Sequence, residues 1–521
     1  MPRSNLLALF VLGLSVASLV AWLQNSPGYM DADYYMAGGL RLVQGHGFSE
    51  IILWNYLDDP AGLPHPSHSY WMPLASVIAA FGMWLTGQHD FSSARLPFIL
   101  LAGLVPPVVS LLAYRLSARR DLALLSGLLA AFPTYQTSFN VTTSNFVLYN
   151  LLGAAFFILV MGDGPKYLLG LGIVIGLMNF ARTDGLLWLP LALFAVFLKL
   201  YVQYRLDLRR WIKPISFSVL FILSGYLLVM LPWFMRNLAT IGTLMAPGGS
   251  RAMLLIDYGD TFIYPASLLT FERWLASGWQ AIFDARLSAF WNNLGTGFAA
   301  QGGIVLTPFI LVAAWRLRHD LRVQVGALAW LLLFLVMTFV FPFAGPRGSF
   351  FHAGAALVPL GWVLAPVGLG IVVSAARRRN WFTPQAQRVF QVMLFAVMLV
   401  LTVFLVNLRV IDGDWDLSDQ TFRQIETRLQ AVGAKPEDIV MVTNPPGYYI
   451  ASGRAAIASP NSSLSDVLEA ARRYNARYLI LQSDAIPDRL VPFLEQRETV
   501  PELQLLFAEP DMALYEFVWG N

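Results

Sequence analysis

Two aspartates lie close together in the stretch Tyr29–Phe48, which directly follows the first apolar run of the chain. Asp31 and Asp33 therefore sit where the chain leaves an apolar segment. A carboxylate in such a place can accept a proton from an attacking hydroxyl or amine. The alternative for Asp31 is a helix N-cap, since aspartate is favoured just before a helix such as the one expected over 32–44. Asp33 could help to hold an acceptor or a metal, or could simply be solvated.

Cationic and imidazole side chains recur between the apolar runs or at their ends. Such groups can hold a phosphate whose charge develops as a bond breaks. Each also has a structural interpretation, as an interfacial anchor, a helix-end charge, part of a turn or a solvated loop residue. The candidates are Arg95, Arg347, His352, Arg236, His65 and His68.

The composition shows what kind of scaffold must position these groups. The chain has 521 residues, of which 57% are hydrophobic and 13% charged. Soluble domains carry about 25% charged residues, so this composition indicates a polytopic membrane protein. There is no cysteine, which excludes disulfides, thiolate chemistry and zinc–thiolate sites. The net charge of +3 comes with basic residues in short clusters between apolar runs, which indicates membrane orientation rather than nucleic-acid binding.

Eleven apolar runs are long enough to span a bilayer. The first is expected to be an uncleaved membrane helix rather than a signal peptide, because no small-x-small cleavage pattern follows it. A further run at 70–87 is ambiguous. The eleven runs are 5–23, 95–114, 121–140, 145–161, 167–181, 185–201, 214–235, 304–316, 323–343, 354–374 and 389–410.

The basic clusters predict the orientation of these spans. With the N-terminus inside and eleven spans, every cluster falls in the cytoplasm, as the positive-inside rule requires. If 70–87 also spanned, the clusters would face outward. We therefore expect 70–87 to lie along or dip into the outer interface, within a first external loop over 24–94. Asp31 and the other candidate residues then lie on the outer face.

The composition changes near residue 411, which divides the chain into a membrane domain, 1–410, and a small extracytoplasmic α/β domain, 411–521. The second domain is large enough for its own core. We expect a turn through Pro445–Gly447 and a capping box at Ser463–Asp466. The predicted helices are 419–431 and 464–475, and the predicted strands are 439–442, 477–481, 503–507 and 513–518.

Several motifs, taken in order, resemble GT-C glycosyltransferases. Asp31-x-x-Tyr34-Tyr35, with Leu42, Gly45, Gly47 and Phe48, resembles the first-loop signature of that superfamily. The branch it is most similar to is the ArnT-like and dolichyl-phosphate-mannose protein mannosyltransferase group. The resemblance covers most of the chain. Further matching segments are His65-Pro66, Trp71–Leu74, Ala94–Leu96, Ala181–Gly185, Leu231–Asn237, Arg347 and the terminal domain with Tyr478–Leu481.

The resemblance implies an all-α polytopic GT-C-like fold with about eleven transmembrane helices and a small C-terminal α/β domain. It implies an inverting hexosyl- or pentosyltransferase that uses an undecaprenyl- or dolichyl-phosphate sugar donor. The acceptor would be a glycan, a lipid or a protein on the outer face of a prokaryotic inner membrane. Asp31 would be the base, assisted by Asp33. The residues implied for donor phosphate or substrate binding are Arg95, Arg347, His352, Arg236, His65, His68 and Tyr35.

Two departures from the family pattern limit what can be carried over. Met72 stands where ArnT-like enzymes often carry a lysine, and the loop Asn140–Asn145 has no acidic residue. A divalent cation therefore remains an open option rather than an expected cofactor, and the ArnT substrate pair is not carried over. Two other functions compete: a transporter or flippase of lipid-linked glycans, and an inactive GT-C-fold membrane protein. The presence of Asp31 argues against the second.

Overall fold

The computed structural model describes residues 1–205, 207–345, 347–383, 385–483 and 486–519. The chain is mostly helical, with strands near the C-terminus and in the segment 24–94, which was predicted to be the first external loop. The helices are α1 Arg3–Trp22, α2 Met30–Val43, α3 Leu74–Thr86, α4 Phe91–Ser117, α5 Arg120–Ala131, α6 Phe146–Leu159, α7 Pro165–Ala181, α8 Trp188–Tyr204, α9 Leu208–Thr240, α10 Gly248–Arg251, α11 Phe271–Ala276, α12 Gly278–Thr296, α13 Thr307–Arg316, α14 Leu321–Leu335, α15 Ser349–Gly354, α16 Val358–Arg378, α17 Ala386–Val406, α18 Leu417–Ala431, α19 Pro445–Ser452, α20 Leu464–Arg473 and α21 Val491–Leu494.

Among the described residues, seven helices are long and apolar enough to cross a membrane. The chain is therefore an integral membrane protein. These helical segments are Arg3–Trp22, Phe91–Ser117, Thr183–Tyr204, Arg210–Thr240, Leu321–Val340, Val358–Arg378 and Ala386–Ile411.

The predicted count of eleven spans is not confirmed. Four of the predicted runs form helices of only 10 to 17 residues, namely α5, α6, α7 and α13. A straight crossing of the hydrocarbon core needs about 20 residues. Helix α5 ends at Ala131 because Pro133 disfavours a helical conformation at the residue before it, Phe132. The ambiguous run at 70–87 contains α3, which has 13 residues.

The short helices pack closely against the long ones through glycines. A Cβ atom at Gly172 of α7 would collide with the carbonyl of Ile222 in α9, and one at Gly225 of α9 would collide with the carbonyl of Leu169 in α7. Small residues at such contacts let two helix backbones approach, which is the usual basis of helix association in a bilayer. This close packing holds α7, and the residues that follow it, in a fixed position.

A six-stranded sheet lies near the C-terminus, in the order β2-β5-β4-β6-β8-β7. Strands β2, β5, β4 and β6 run parallel, and β8 and β7 complete the sheet antiparallel. A separate pair, β1 and β3, is antiparallel in the first external loop. The strands are β1 Ser49–Glu50, β2 Ile52–Leu53, β3 His65–Pro66, β4 Ile439–Val442, β5 Ala456–Ala458, β6 Ala476–Gln482, β7 Leu503–Glu509 and β8 Met512–Phe517.

The sheet includes a strand from outside the predicted 411–521 domain. Ile52 and Leu53 of β2 pair with Ala456 and Ile457 of β5, so the first external loop contributes an edge strand. The C-terminal segment and that loop are thus joined by backbone hydrogen bonds. This pairing could not be read from composition, because β2 is only two residues long.

Most of the predicted C-terminal elements are confirmed. The predicted strands and both helices are present within a few residues of the expected bounds, and Ser463 and Asp466 form the expected capping box. The turn predicted at Pro445–Gly447 is wrong, because these residues begin α19. Asn444 caps that helix, and proline is well tolerated in a first helical turn, where its missing N–H has no intrahelical role.

Candidate active site

Asp31 lies in the first turn of α2 and its side chain is 26% exposed. The N-cap of α2 is Tyr29, whose side chain makes no capping hydrogen bond. The interpretation of Asp31 as an N-cap is therefore wrong. Its carboxylate benefits from the positive end of the helix dipole while remaining accessible. The ring of His352, on α15, faces it, with Nε2 3.8 Å from Asp31 Oδ2.

An arginine–aspartate pair lies beside this carboxylate. Arg182 follows α7 directly, and its Nε donates to Asp184 Oδ1 at 2.9 Å. The hydroxyl of Tyr149 donates to the same oxygen at 3.2 Å. Asp184 thus fixes Arg182, whose charge acts on Asp31. The pair lies in the Ala181–Gly185 segment, but neither residue was among the site residues predicted from the sequence.

The surroundings of Asp31 suit a proton acceptor. Burial raises the pKa of Asp31 to about 6, while the charge of Arg182 and the backbone N–H of Asp31 itself oppose that rise. Burial and Arg182 hold the pKa of His352 well below its usual range, so the imidazole is neutral near pH 7. The 3.8 Å gap to Asp31 exceeds hydrogen-bond length. A base whose pKa lies just below neutral is ionised at pH 7 and still accepts a proton readily.

Two more predicted residues belong to this site. Tyr35, buried in α2, accepts a hydrogen bond from Asn145 Nδ2 at 2.6 Å, and the charges of Asp31 and Arg182 both act on its hydroxyl. The guanidinium of Arg347 lies 4.7 Å from the ring centre of Tyr258. The hydroxyl of Tyr258 in turn feels the charges of both Asp31 and Arg347, so the exposed Arg347 is at the margin of the same site.

Several buried polar atoms on these elements have no hydrogen-bond partner within the described part of the chain. They are Asp184 Oδ2, Asn145 Oδ1 and Ser349 Oγ. Leaving a buried polar atom unpaired costs about 1–3 kcal/mol, so such atoms are kept where a ligand or water completes them. Asp184 pairs with Arg182, Asn145 bonds to Tyr35, and Ser349 lies on the same helix as His352, so these unpaired atoms belong to residues that adjoin the site.

Three predicted binding residues belong instead to a group of hydrogen-bonded residues at the segment 24–94, which we call the loop network. Arg236 Nη2 donates to the carbonyls of Phe48 and Ser67 at 2.8 and 2.9 Å. The ring of His68 bonds to the hydroxyls of Ser67 and Ser76 at 2.8 and 2.9 Å. Burial lowers the pKa of His68 to about 3, so it is neutral.

The third residue of the loop network, His65, pairs with a buried carboxyl. Its Nε2 lies 3.0 Å from the carbonyl of Ile52 and 3.5 Å from Glu50 Oε1. Both side chains are less than a tenth exposed. His65, His68 and Arg236 therefore hold the loop through contacts with carbonyl and hydroxyl groups. Both histidines are buried, so the solvated-loop interpretation of them is wrong.

Arg95 and Asp33 likewise point away from the site. Arg95 Nη1 donates to the carbonyl of Gln24 at 2.7 Å, and its guanidinium lies 4.6 Å from the ring centre of Phe91. These contacts make it an anchor between α4 and the loop after α1. Asp33 is only 7% exposed, and its Oδ2 accepts a hydrogen bond from Asn444 Nδ2 at 3.0 Å. The interpretation of Asp33 as a solvated residue is therefore wrong.

The side chains around Asp31 fit a divalent cation poorly. Within the described residues, no group of three or more histidine and carboxylate side chains could hold a metal ion. Close to Asp31, the charge of Arg182 opposes a second cation, and Asp184 is already engaged by that arginine.

The fold resembles that of solved structures of an oligosaccharyltransferase and of ArnT. The chain is similar to the oligosaccharyltransferase AglB of Archaeoglobus fulgidus in the apo form, with a TM-score of 0.58 and 11% identity over 93% of this chain and 70% of that one. It is also similar to ArnT of Cupriavidus metallidurans bound to undecaprenyl phosphate, with a TM-score of 0.53 and 13% identity over 99% of both chains.

A third structure, AglB in complex with an inhibitory peptide and a dolichol-phosphate, gives a TM-score of 0.55 with 12% identity over 92% of this chain and 69% of that one. No protein family model matches this chain. No curated protein matches it either. At these identities the similarity is one of fold, and the residues of the site must be argued from their own geometry.

Proposed function

We propose that this protein transfers a sugar from a polyprenyl-phosphate donor to a hydroxyl or amine acceptor at the outer face of a prokaryotic cytoplasmic membrane. The observation that carries the proposal is the accessible carboxylate of Asp31, flanked by Arg182 and a neutral His352 in a GT-C fold. Sugar transfer from a lipid phosphate needs a base, a cationic phosphate site and access from the bilayer. Asp31 is the candidate base, and the nearby arginines are the candidate phosphate site.

Asp31 takes the proton of the acceptor as its oxygen or nitrogen attacks the anomeric carbon. The new bond forms on the face opposite the phosphate, and the electrons of the breaking carbon–oxygen bond leave with the phosphate oxygen. The anomeric configuration therefore inverts. A positioned base contributes about 10²–10⁴-fold to such a step. Arg182 keeps Asp31 largely ionised at neutral pH by opposing the effect of burial.

Arg347 is the residue we assign to the donor phosphate. It is exposed at the margin of the site, and its guanidinium is stacked on Tyr258 rather than paired with a described carboxylate. A charge-assisted hydrogen bond to phosphate contributes about 1.5–3 kcal/mol. Arg182 is held by Asp184 and adds positive charge where phosphate charge develops. No step is assigned to a metal.

The fold neighbours support the donor class. One holds undecaprenyl phosphate and another a dolichol-phosphate, so the fold accommodates a polyprenyl phosphate. We infer a hexosyl or pentosyl donor of this class and an acceptor that is a glycan, a lipid or a protein. We also infer that the N-terminus is inside, and that the site and the segment 411–521 are extracytoplasmic.

The test is a transfer assay with purified protein in nanodiscs and a panel of labelled polyprenyl-phosphate sugars. Transfer to an added acceptor, or slow hydrolysis of one donor, is expected for the wild type and not for Asp31→Asn. Absence of turnover for every donor in a folded wild-type protein, or equal turnover by Asp31→Asn, would contradict the proposal.

A further inference from the structure

Asp31 and Asp33 lie on different faces of α2. Successive residues of an α-helix are rotated by about 100°, so two residues apart means about 200°. Asp31 accordingly faces His352, whereas Asp33 faces the C-terminal segment and accepts a hydrogen bond from Asn444. One helical turn therefore carries the proposed base on one side and a contact with another part of the chain on the other.

Asn444 uses both ends of its side-chain amide. Its Oδ1 accepts from the backbone N–H of Gly447 at 3.1 Å, which caps α19, and its Nδ2 donates to Asp33 Oδ2 at 3.0 Å. A Cβ atom at Gly447 would lie 2.9 Å from Asp33 Oδ2, so glycine permits this close approach. The first turn of α19 also presents its positive dipole end to the carboxylate.

The first turn of α2 depends on such external contacts. Its N-cap, Tyr29, makes no capping hydrogen bond with its side chain. On one side, Thr143 Oγ1 donates to the carbonyl of Ala32 at 2.7 Å. On the other side, only the contact between Asp33 and Asn444 is a side-chain hydrogen bond to this turn within the described residues. The turn that carries Asp31 is thus held from two directions.

The segment before α2 is gripped by the same C-terminal part of the chain. The carboxylate of Asp416 accepts from the backbone N–H of Ser26 at 2.8 Å, and Trp415 Nε1 donates to the carbonyl of Ser26 at 3.0 Å. Beyond α2, β2 pairs with β5. Three separate contacts therefore fix the position of α2 relative to the C-terminal segment.

We propose that Asn444 is a positioning residue for Asp31: by holding Asp33 it fixes the first turn of α2, and with it the carboxylate that accepts the proton. This role rests on the proposed function. It gives the C-terminal segment a part in catalysis without any contact between that segment and the substrate. A misplacement of about 1 Å at a reacting group can cost about 10²-fold in rate, so loss of this contact should lower kcat.

The test first breaks the hydrogen bond between Asn444 and Asp33 and then restores it with donor and acceptor exchanged. Asn444→Asp keeps a good N-cap for α19 but sets two carboxylates against each other. We expect kcat to fall about tenfold or more, with the donor KM within about twofold of wild type. In the double variant Asp33→Asn/Asn444→Asp, the new amide at position 33 donates to the new carboxylate at 444, and kcat should return to within about twofold of wild type.

Hydrogen exchange of the backbone amides provides a readout that does not require activity. Exchange in residues 30–43 should speed up in Asn444→Asp and return in the double variant, while α20 serves as an unaffected control. A variant that melts earlier but keeps wild-type kcat, or a double variant that is not rescued, would overturn the proposal. If no form transfers sugar yet exchange responds as expected, the contact stands and the proposed function fails.

Discussion

The site around Asp31 and the loop network are built from the same kinds of residue, yet they do different work. Glu50, His65 and His68 are buried, and the histidine rings and the guanidinium of Arg236 contact carbonyl or hydroxyl groups of the protein. Asp31 is partly exposed, its histidine neighbour lies beyond hydrogen-bond distance, and buried atoms near it lack partners. Residue type therefore does not distinguish a catalytic group from a structural one. The two groups differ in that Asp31 is accessible and has no close hydrogen-bond partner in His352.

The largest effect is expected at Asp31. Asp31→Asn should reduce transfer by about 10²–10⁴-fold, because an amide cannot accept the proton. The fold should be retained, since asparagine is close in size and the side chain makes no cap that could be lost. Transfer rate and Tm are measured together. Retention of more than about a tenth of the activity at an unchanged Tm would show that Asp31 is not the base.

Arg347→Ala is expected to weaken donor use by roughly tenfold or more in kcat/KM, because one charge-assisted bond to phosphate is lost. Tm should change little, because the residue is exposed and its guanidinium lies over the ring of Tyr258. Steady-state kinetics with varied donor concentration measures the effect. Unchanged donor kinetics would place the phosphate elsewhere in the site.

His68→Ala should show the opposite pattern. The hydroxyls of Ser67 and Ser76 lose their partner inside the protein, so unfolding free energy should fall by about 1–3 kcal/mol. The control is His46→Ala, since His46 is an exposed histidine of the same loop. Thermal melts in detergent compare the two. A stable His68→Ala protein with a raised donor KM would instead give His68 a binding role.

Arg95→Ala should have the smallest effect on catalysis. It was among the residues implied for phosphate binding, but it is only 9% exposed and its guanidinium contacts Gln24 and Phe91. We therefore expect the donor KM to stay within about twofold of wild type while Tm falls. A tenfold loss in kcat/KM for the donor, in a protein that melts normally, would restore the binding role.

The sequence predicted the membrane scaffold and the C-terminal strands. The length of an apolar run and the alternation of apolar residues predict helices and strands because both depend on which residues are buried. It did not reveal the roles of His65, His68 and Arg236, because their partners are carbonyls and hydroxyls brought together only by folding. Asn444 was missed because the following Pro-Pro-Gly sequence is typical of a turn and here opens a helix.

The contribution of Arg182 was also hidden, although the segment Ala181–Gly185 was noted. Its importance comes from its distance to Asp31, which is about 150 residues away in sequence, and from Asp184, which fixes its orientation. An arginine followed two residues later by an aspartate does not indicate, in a sequence, that the arginine lies near a distant carboxylate. The charge environment of a catalytic group is therefore a tertiary property.

The most direct test of the central claim is the pH dependence of kcat/KM in wild type and Arg182→Gln. Asp31 must be ionised to accept a proton, so the rate should fall as pH drops below about 6, the raised pKa of this carboxyl. Removing the charge of Arg182 leaves only the backbone N–H of Asp31 to oppose the effect of burial, so the pKa rises and the acid limb should move to higher pH. An acid limb that is absent, or that stays at the same pH in Arg182→Gln, would contradict the assignment of Asp31 as the base.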